Sequence, residues 1–457
     1  MNRERTAWLL SFLLLAFATF RNPTSAQRDD DYLFVRTLVD IHRQVRANYV
    51  EPVEQQKLEE AAIEGMLAQL DPFTTYVPPA QRENFDRLLE GTFKGVGIQL
   101  NQTEKGEIEV VSPIDGSPAF KAGVHAGDII LKVNGQSLEG LRLPDVIKKI
   151  GGELGSEVEL TVRHLSGEEE TLRMRREEII VPTVKGFERM TDNQWKFYVS
   201  TDPKIAYIRL SQFTSSTYDT VKGILSDLLA DGMQGLILDL RWNPGGQLDQ
   251  SVQLVDLFLE EGTIVSTKGA NRPERVERAV EPGTLPWFPM IVLVNEHSAS
   301  ASEIVAGSLL DNRRAAVLGE RTYGKGSVQE LIPLEGNHGE LKLTVAYYYL
   351  PSGRLVHRKK GAETWGVEPQ IHVPMDEKVQ QQVVREQYRS ELFRRPTTNP
   401  STQTTGPATA PTTQPIDVQL QRAVDTMVLM TVLQGNPNHP PPPAARPTTR
   451  RVAREIE

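Results

Sequence analysis

Apolar positions recur with three different spacings along this chain. Between residues 27 and 92 they return every three or four residues. Leu33, Val35, Leu38, Val39, Ile41 and Val45 share one broad face, and Ala61, Ile63, Met66 and Leu67 share another. This spacing predicts two amphipathic helices, the first closed by Tyr49-Val50-Glu51-Pro52 and the second by Asp71-Pro72. Between 179 and 385, short apolar runs alternate with helical spacing. Residues 205–210, 235–240 and 290–294 read as strands; 220–229, 248–259 and the stretch holding Ile304, Val305, Leu309 and Leu310 read as helices. Strand–helix alternation predicts a mixed α/β core. Residues 93–178 differ from both, with short strands separated by glycine turns and one helical stretch at 144–150.

The two ends differ in composition from the rest. Arg3 and Arg5 precede an apolar run over residues 7–20, and Thr24-Ser25-Ala26 offers small residues for cleavage before Gln27. Residues 1–26 therefore read as an export signal, too short in its apolar part for the ~20 residues of a spanning helix. The chain is expected on the periplasmic or extracellular side, touching membrane only through that signal; an uncleaved anchor is the alternative. Residues 386–416 are mostly Pro, Thr, Gln, Ser, Asn, Gly and Ala, which cannot bury a core and read as a linker. Leu420, Val424, Met427, Leu429 and Val432 restore helical spacing over 417–434, and the Pro- and Arg-rich 435–457 reads as a disordered tail.

Composition narrows the chemistry. There is no cysteine in the 457 residues, so thiolate and disulfide chemistry are excluded. The net charge of −9 argues against nucleic acid as a partner. The eight histidines show no metal-ligand spacing, so neither metal nor cofactor is implied.

One stretch carries a candidate nucleophile. In Ser298-Ala299-Ser300-Ala301-Ser302-Glu303, Ser300 sits between the strand at 290–294 and the following helix. A serine on such a turn stands clear of both elements, beside the unpaired N–H groups of the first helical turn. The same residues also spell a capping box, Ser-x-x-Glu, which needs no chemistry. His297 invites a Ser–His pairing, although its place in the turn favours an exposed structural role. Further on, Thr322-Tyr323-Gly324-Lys325-Gly326-Ser327-Val328-Gln329 puts a lysine between two glycines, with Gln329 four residues later on the same face. A lysine acts as general base only when neutral, and a glutamine can orient it without adding negative charge. Residues 319–325 also match the first seven places of a phosphate-binding P-loop. The eighth place is Gly326 rather than Ser or Thr, and a strand-like segment follows where a helix is required.

Together, Ser-Ala-Ser-Ala-Ser-Glu and Gly-Lys-Gly-Ser-Val-Gln resemble the C-terminal processing peptidases, or tail-specific proteases, a likeness extending over about residues 32–385. The resemblance implies a nucleophile at Ser300, a general base at Lys325 and a supporting residue at Gln329. Asp239-Leu240-Arg241-Trp242-Asn243-Pro244-Gly245-Gly246 belongs to the same pattern. A glycine at a strand end can point its N–H into a cleft, so Gly245-Gly246 could supply an oxyanion donor; the resemblance favours Gly246, partnered by the N–H of Ala301. The region 93–178 resembles a PDZ domain, chiefly in Gly127-Asp128-Ile129-Ile130-Leu131-Lys132-Val133-Asn134-Gly135. Its Gly95-Val96-Gly97-Ile98 loop can turn successive N–H groups towards a peptide's terminal carboxylate, while the peptide adds as a strand.

The expected architecture is therefore a helical N-terminal region (27–92), a small β-rich PDZ domain (93–178) inserted before an α/β serine-protease core (179–385), a linker, a helix and a tail. The expected activity is an exported endopeptidase with a Ser–Lys dyad, cutting proteins near free C-terminal tails. A PDZ-bearing scaffold on an inactive protease body is the alternative. In the family the N-terminal helices can support homodimer contacts; an ordinary packed helical pair serves the sequence equally well.

Overall fold

Strands Lys204–Leu210 (β8), Gly235–Asp239 (β9), Met290–Val294 (β12), Ala316–Gly319 (β13) and Ile371–His372 (β16) lie side by side, all parallel. The computed structural model describes residues 24–103, 105–114, 116–190, 194–391 and 417–434. Every residue of β9 and β12 is buried, as their continuous apolar runs require of a parallel sheet covered on both faces. Period-two alternation divides them. Leu236, Leu238, Met290, Val292 and Val294 face one core with helices Thr217–Ala230 (α6), Leu248–Asp256 (α7) and Ala301–Asp311 (α8). Ile237, Ile291 and Leu293 face the other, joined by Tyr207 and Leu318.

That second face is covered by the last described helix, Val418–Gln434 (α10), whose Ala423 and Met427 are fully buried against it. The helical spacing read at 417–434 thus belongs to a docked element of the core. Contact is close: a Cβ added to Gly235 would lie 2.7 Å from the Met427 sulfur.

A second, antiparallel sheet flanks the first. Its strands Thr263–Gly269 (β10), Arg272–Arg278 (β11), Ser327–Pro333 (β14) and Glu340–Tyr349 (β15) bring Lys325 and Gln329 towards the main core. The small domain has its own core of Ile108, Val110, Ile130, Val158, Leu160 and Val162. Its sheet orders Ile98–Gln102 (β2), Ile108–Pro113 (β3), Ile129–Val133 (β4), Glu157–Arg163 (β5) and Glu169–Arg175 (β6) antiparallel, with the short helix Pro118–Ala122 (α4) between β3 and β4, leaving β2 at one edge beside helix Leu143–Ile150 (α5). Strands Thr92–Gly95 (β1) and Glu177–Ile180 (β7) pair where the chain enters and leaves this domain.

The N-terminal unit, up to Tyr76, holds helices Thr24–Asn48 (α1) and Gln55–Leu67 (α2). They line an apolar groove with Phe34, Leu38, Ile41, Leu58, Ile63 and Met66. Helix Pro79–Glu90 (α3) follows in the larger unit. The linker expected from residue 386 is ordered in its first part, because helix Glu377–Glu391 (α9) continues through it. Glu391 pairs there with Lys185 and Arg209. Residues 1–23 of the expected export signal, 392–416 of the linker and the whole 435–457 tail lie outside the described residues. Among the described residues no helix is long and apolar enough to cross a membrane.

Removing the Met427 side chain leaves a cavity between α10 and the sheet. Met427→Ala should cost about 2–5 kcal/mol of stability, read as a lower urea midpoint at unchanged slope.

Candidate active site

The strand ends of β9 and β12 set the site. Beyond β9, the loop 241–246 turns back across the sheet, held by side chains of its own motif. The Asn243 amide donates to the Leu210 carbonyl (2.9 Å), and its oxygen accepts from the Gly245 N–H (2.9 Å). Beyond β12, the serine turn is laced to this loop. Ser298 Oγ donates to the Leu240 carbonyl (2.8 Å) and Ser302 Oγ to the Asn243 carbonyl (3.0 Å), while the Ala299 N–H donates to that same carbonyl (3.0 Å). Ser298 and Ser302 are fully buried. The outer two serines of the motif are therefore structural, and the middle one is the one that lines a cavity.

Ser300 adopts φ 55° and ψ −115°, a region side-chain-bearing residues rarely occupy. Its surroundings enforce this. Gly245, at φ 100°, approaches so closely that an added Cβ would lie 2.7 Å from Ser300 Cβ and 2.9 Å from the Ala301 nitrogen. At Gly246, φ 147°, a Cβ would meet the Phe213 carbonyl oxygen at 2.0 Å. Both glycines are required by close approach as well as by conformation.

The Glu303 carboxylate links the serine turn to the lysine loop. It accepts from the N–H of Ser300 (2.9 Å), the N–H groups of Gly324 (2.7 Å) and Lys325 (2.8 Å), and the Thr322 hydroxyl (2.5 Å). Burial pushes this carboxyl above the usual carboxylate range, and these four donors pull back part of that rise. The Tyr348 hydroxyl lies within hydrogen-bond reach of the carbonyls of Ser300 (3.1 Å) and Lys325. Burial, with the charge of Glu303, holds its phenol well above the ordinary value, so it remains a neutral donor. The sequence pattern marked Glu303 only as the end of a capping box; its reach to the lysine loop and the part played by Tyr348 needed the tertiary structure.

Ser300, Ala301, Gly246, Lys325 and Gln329 line a single cavity of about 490 Å³. Gln329 follows a bulge in the β14–β15 pairing, and its amide donates to Thr344 Oγ1 (3.1 Å). Apolar walls come from Leu248, Ile304, Val328 and Leu331. Phe85 of α3 and a second lysine, Lys342, also line the cavity, and neither was read from the sequence. Among the described residues no histidine lines it: the His297 side chain is 57% exposed, with its Nε2 3.8 Å from Glu296. Lys325 leads into strand β14, so the helix required by the P-loop reading is absent at that position.

In the small domain, Gly95 ends β1, Gly97 has φ 76° and Ile98 begins β2. The Val96 carbonyl accepts from the Ala119 N–H (2.9 Å), and the Gly97 carbonyl accepts from the Ile114 N–H (2.8 Å) and Ser117 Oγ (3.2 Å). In a planar trans peptide the next N–H points the opposite way. The N–H groups of Gly97 and Ile98 therefore face away from those partners.

Comparison with known proteins places this geometry in a family. The pattern of Peptidase family S41 matches residues 204–373, that of the PDZ domain residues 109–164, and that of the Activating protease CtpB N-terminal domain residues 21–79. The chain is 39% identical over 363 residues to a carboxy-terminal-processing protease of Bartonella bacilliformis, covering 78% of this chain and 79% of that one. It is 33% identical over 332 residues to the carboxy-terminal processing protease CtpA of Bacillus subtilis, covering 72% and 67%. The chain belongs to the C-terminal processing peptidase family. Among solved structures, the photosystem II D1 C-terminal processing protease is similar at 27% identity, with a TM-score of 0.42 and coverage of 74% of this chain and 92% of that one. The protein is thus an S41-type serine peptidase carrying a PDZ domain.

Glu303→Ala would leave the Ser300, Gly324 and Lys325 N–H groups without their shared acceptor. We expect a loss of about 2–5 kcal/mol in urea denaturation, with labelling of Ser300 by a fluorophosphonate falling in parallel.

Proposed function

We propose that this peptidase is exported and cuts proteins near free C-terminal tails through a Ser300–Lys325 dyad. The observation that carries this reading is the convergence of Ser300, Lys325, Gln329, Gly246 and Ala301 on one cavity, with no histidine among its described lining residues. Ser300 Oγ attacks the scissile carbonyl carbon while neutral Lys325 Nζ takes its proton. That proton passes to the leaving amine, and water, activated by the same lysine, releases the acyl group. The N–H groups of Gly246 and Ala301 hold the oxyanion, each donor worth about 3 kcal/mol. Gly245 cannot serve, because its N–H is already given to Asn243. Ala301 is the first residue of α8, where the N–H has no carbonyl within the helix.

The PDZ domain is the proposed reader of the tail. The outward N–H groups of Gly97 and Ile98 suit a terminal carboxylate, and the edge strand β2 beside α5 suits addition of the peptide as a further strand. The paired β1 and β7 form the proposed hinge towards Ser300. The exposed Tyr32, Leu33, Phe34, Val35 and Leu38 of α1 support a homodimer contact. The founding experiment incubates wild type and Ser300→Ala with an unfolded protein bearing an apolar C-terminus, and reads the products by mass spectrometry; equal cleavage by both would overturn the serine assignment.

Ser300→Ala and Lys325→Ala should each abolish cleavage, and the double variant should lose almost nothing more, because residues sharing one proton transfer are strongly non-additive. Lys325→Arg should fail as well, since guanidinium does not deprotonate at working pH. Steady-state kinetics on one peptide checks all four, and robust turnover by Lys325→Arg would refute a lysine base.

Substrates with a free apolar C-terminus should be cut faster than amidated or Asp-ended versions, and removal of about residues 93–175 should erase the difference. Paired competition assays read this directly; equal rates on free and amidated tails by the intact enzyme would refute tail reading by the PDZ domain.

A further inference from the structure

At the root of the loop bearing Gly246, Arg241 is 1% exposed, an unusual burial for a guanidinium. Its Nη2 lies 2.6 Å from Asp239 Oδ2 and 2.8 Å from Asp417 Oδ2. Its Nη1 lies 2.9 Å from Asp417 Oδ1 and 3.2 Å from Gln419 Oε1. Asp239 is fixed in turn by the Tyr207 hydroxyl (2.7 Å) and by the Arg241 N–H (2.9 Å). Its Nε reaches both Asp239 oxygens (3.0 and 3.1 Å), so three of the five acceptor oxygens around this guanidinium, those of Asp417 and Gln419, come from 176 and 178 residues away, at the start of α10.

The contacts of Gln419 widen the pattern. Its amide donates to the Val373 carbonyl (2.8 Å) and reaches Glu320 (3.3 Å). Arg241 opens the loop after β9, which holds Gly246. Glu320 opens the loop after β13, which holds Lys325. Between these two strands lies β12, which delivers Ser300. The first turn of α10 therefore joins the roots of the two loops on either side of β12.

We propose that Arg241 is a positioning residue for the oxyanion loop, and that Asp417 and Gln419 of the C-terminal helix complete its hold. The inference deepens, and rests on, the serine-peptidase reading above. A bidentate carboxylate on each side of the guanidinium fixes its plane as well as its charge. Trp242, next in the chain at φ 57° with its N–H on Asn295 Oδ1 (2.9 Å), transmits that fixed plane to Asn243 and the two glycines. With Asp417 neutralised, the helix still buries Ala423 and Met427, but the loop root loses one of its two carboxylates.

The test uses the full chain carrying Asp417→Asn, Asp417→Glu or Gln419→Ala. Amide hydrogen exchange over residues 242–246 should quicken about 10-fold in Asp417→Asn, with 205–210 unchanged. The kcat per fluorophosphonate-reactive serine should fall about 10-fold, a fraction of the 10²–10³ that follows loss of a whole oxyanion donor. KM should stay within about 2-fold, and a peptide aldehyde should bind about 10-fold more weakly. The rising limb of the pH–rate profile, which a lysine base sets by losing its proton, should not move, since Lys325 is untouched, and Asp417→Glu should recover most of the loss. Unchanged exchange over 242–246, or unchanged kcat per reactive serine with only a lower Tm, would overturn the proposal and leave Asp417 as a helix anchor. An inactive wild type would sink the peptidase reading alone, because the exchange measurement still decides whether Asp417 holds the loop.

Discussion

One buried carboxylate holds the two halves of the site at a fixed distance. Ser300 and Lys325 come from different sheets, one after a buried parallel strand and the other before an antiparallel one. Glu303 bonds to the backbone of both. A side chain chosen by local helix capping would need only the first of these contacts. Its near-complete burial makes each contact consequential, because an acceptor deprived of donors in a dry interior is far more costly than one facing water. Ser300's strained backbone survives for the same reason: Gly245, the Ala299–Asn243 bond and Glu303 leave it no alternative.

Much of this was legible from residue spacing. The apolar runs 236–238 and 290–294 pointed to β9 and β12, and a serine followed by helical spacing pointed to the α8 turn. The family resemblance supplied which glycine and which serine to choose. The structure adds a physical reason for that choice: Ser298 and Ser302 have backbone carbonyls to bond, and Gly245 has spent its N–H on Asn243. Contacts between residues far apart in sequence were not legible. Phe85 and Lys342 reach the cavity from elements whose own patterns say nothing of it. The helix at 377–391 was partly mistaken for linker because its polar residues mask a few anchoring contacts, among them Glu391 with Lys185 and Arg209. The strand β14 was read from the segment after Lys325, but its partner β15 and the antiparallel sheet they share were missed, since half-buried strands with mixed polarity lack a clean alternation.

The main sheet also explains why the helix at 418–434 has apolar residues on more than one side. Ala423 and Met427 meet the sheet, whereas Leu429, Val432 and Leu433 remain exposed. Ile237, Ile291 and Leu293 would be open to water without that helix. In a doubly covered parallel sheet each face needs its own cover, and here one face relies on a single helix reached after a long excursion of the chain.

That excursion has a consequence in time. During synthesis, every residue of the proposed catalytic set emerges before Asp417 does. Until residues 417–434 dock, the sheet has one bare apolar face and Arg241 keeps only its local carboxylate, Asp239. That docking closes a separation of 176 residues between Arg241 and Asp417, at an entropic cost that grows only slowly with length. The helix that seals this face of the sheet also completes the hold on Arg241, so the cover of the core and the root of the loop are finished together.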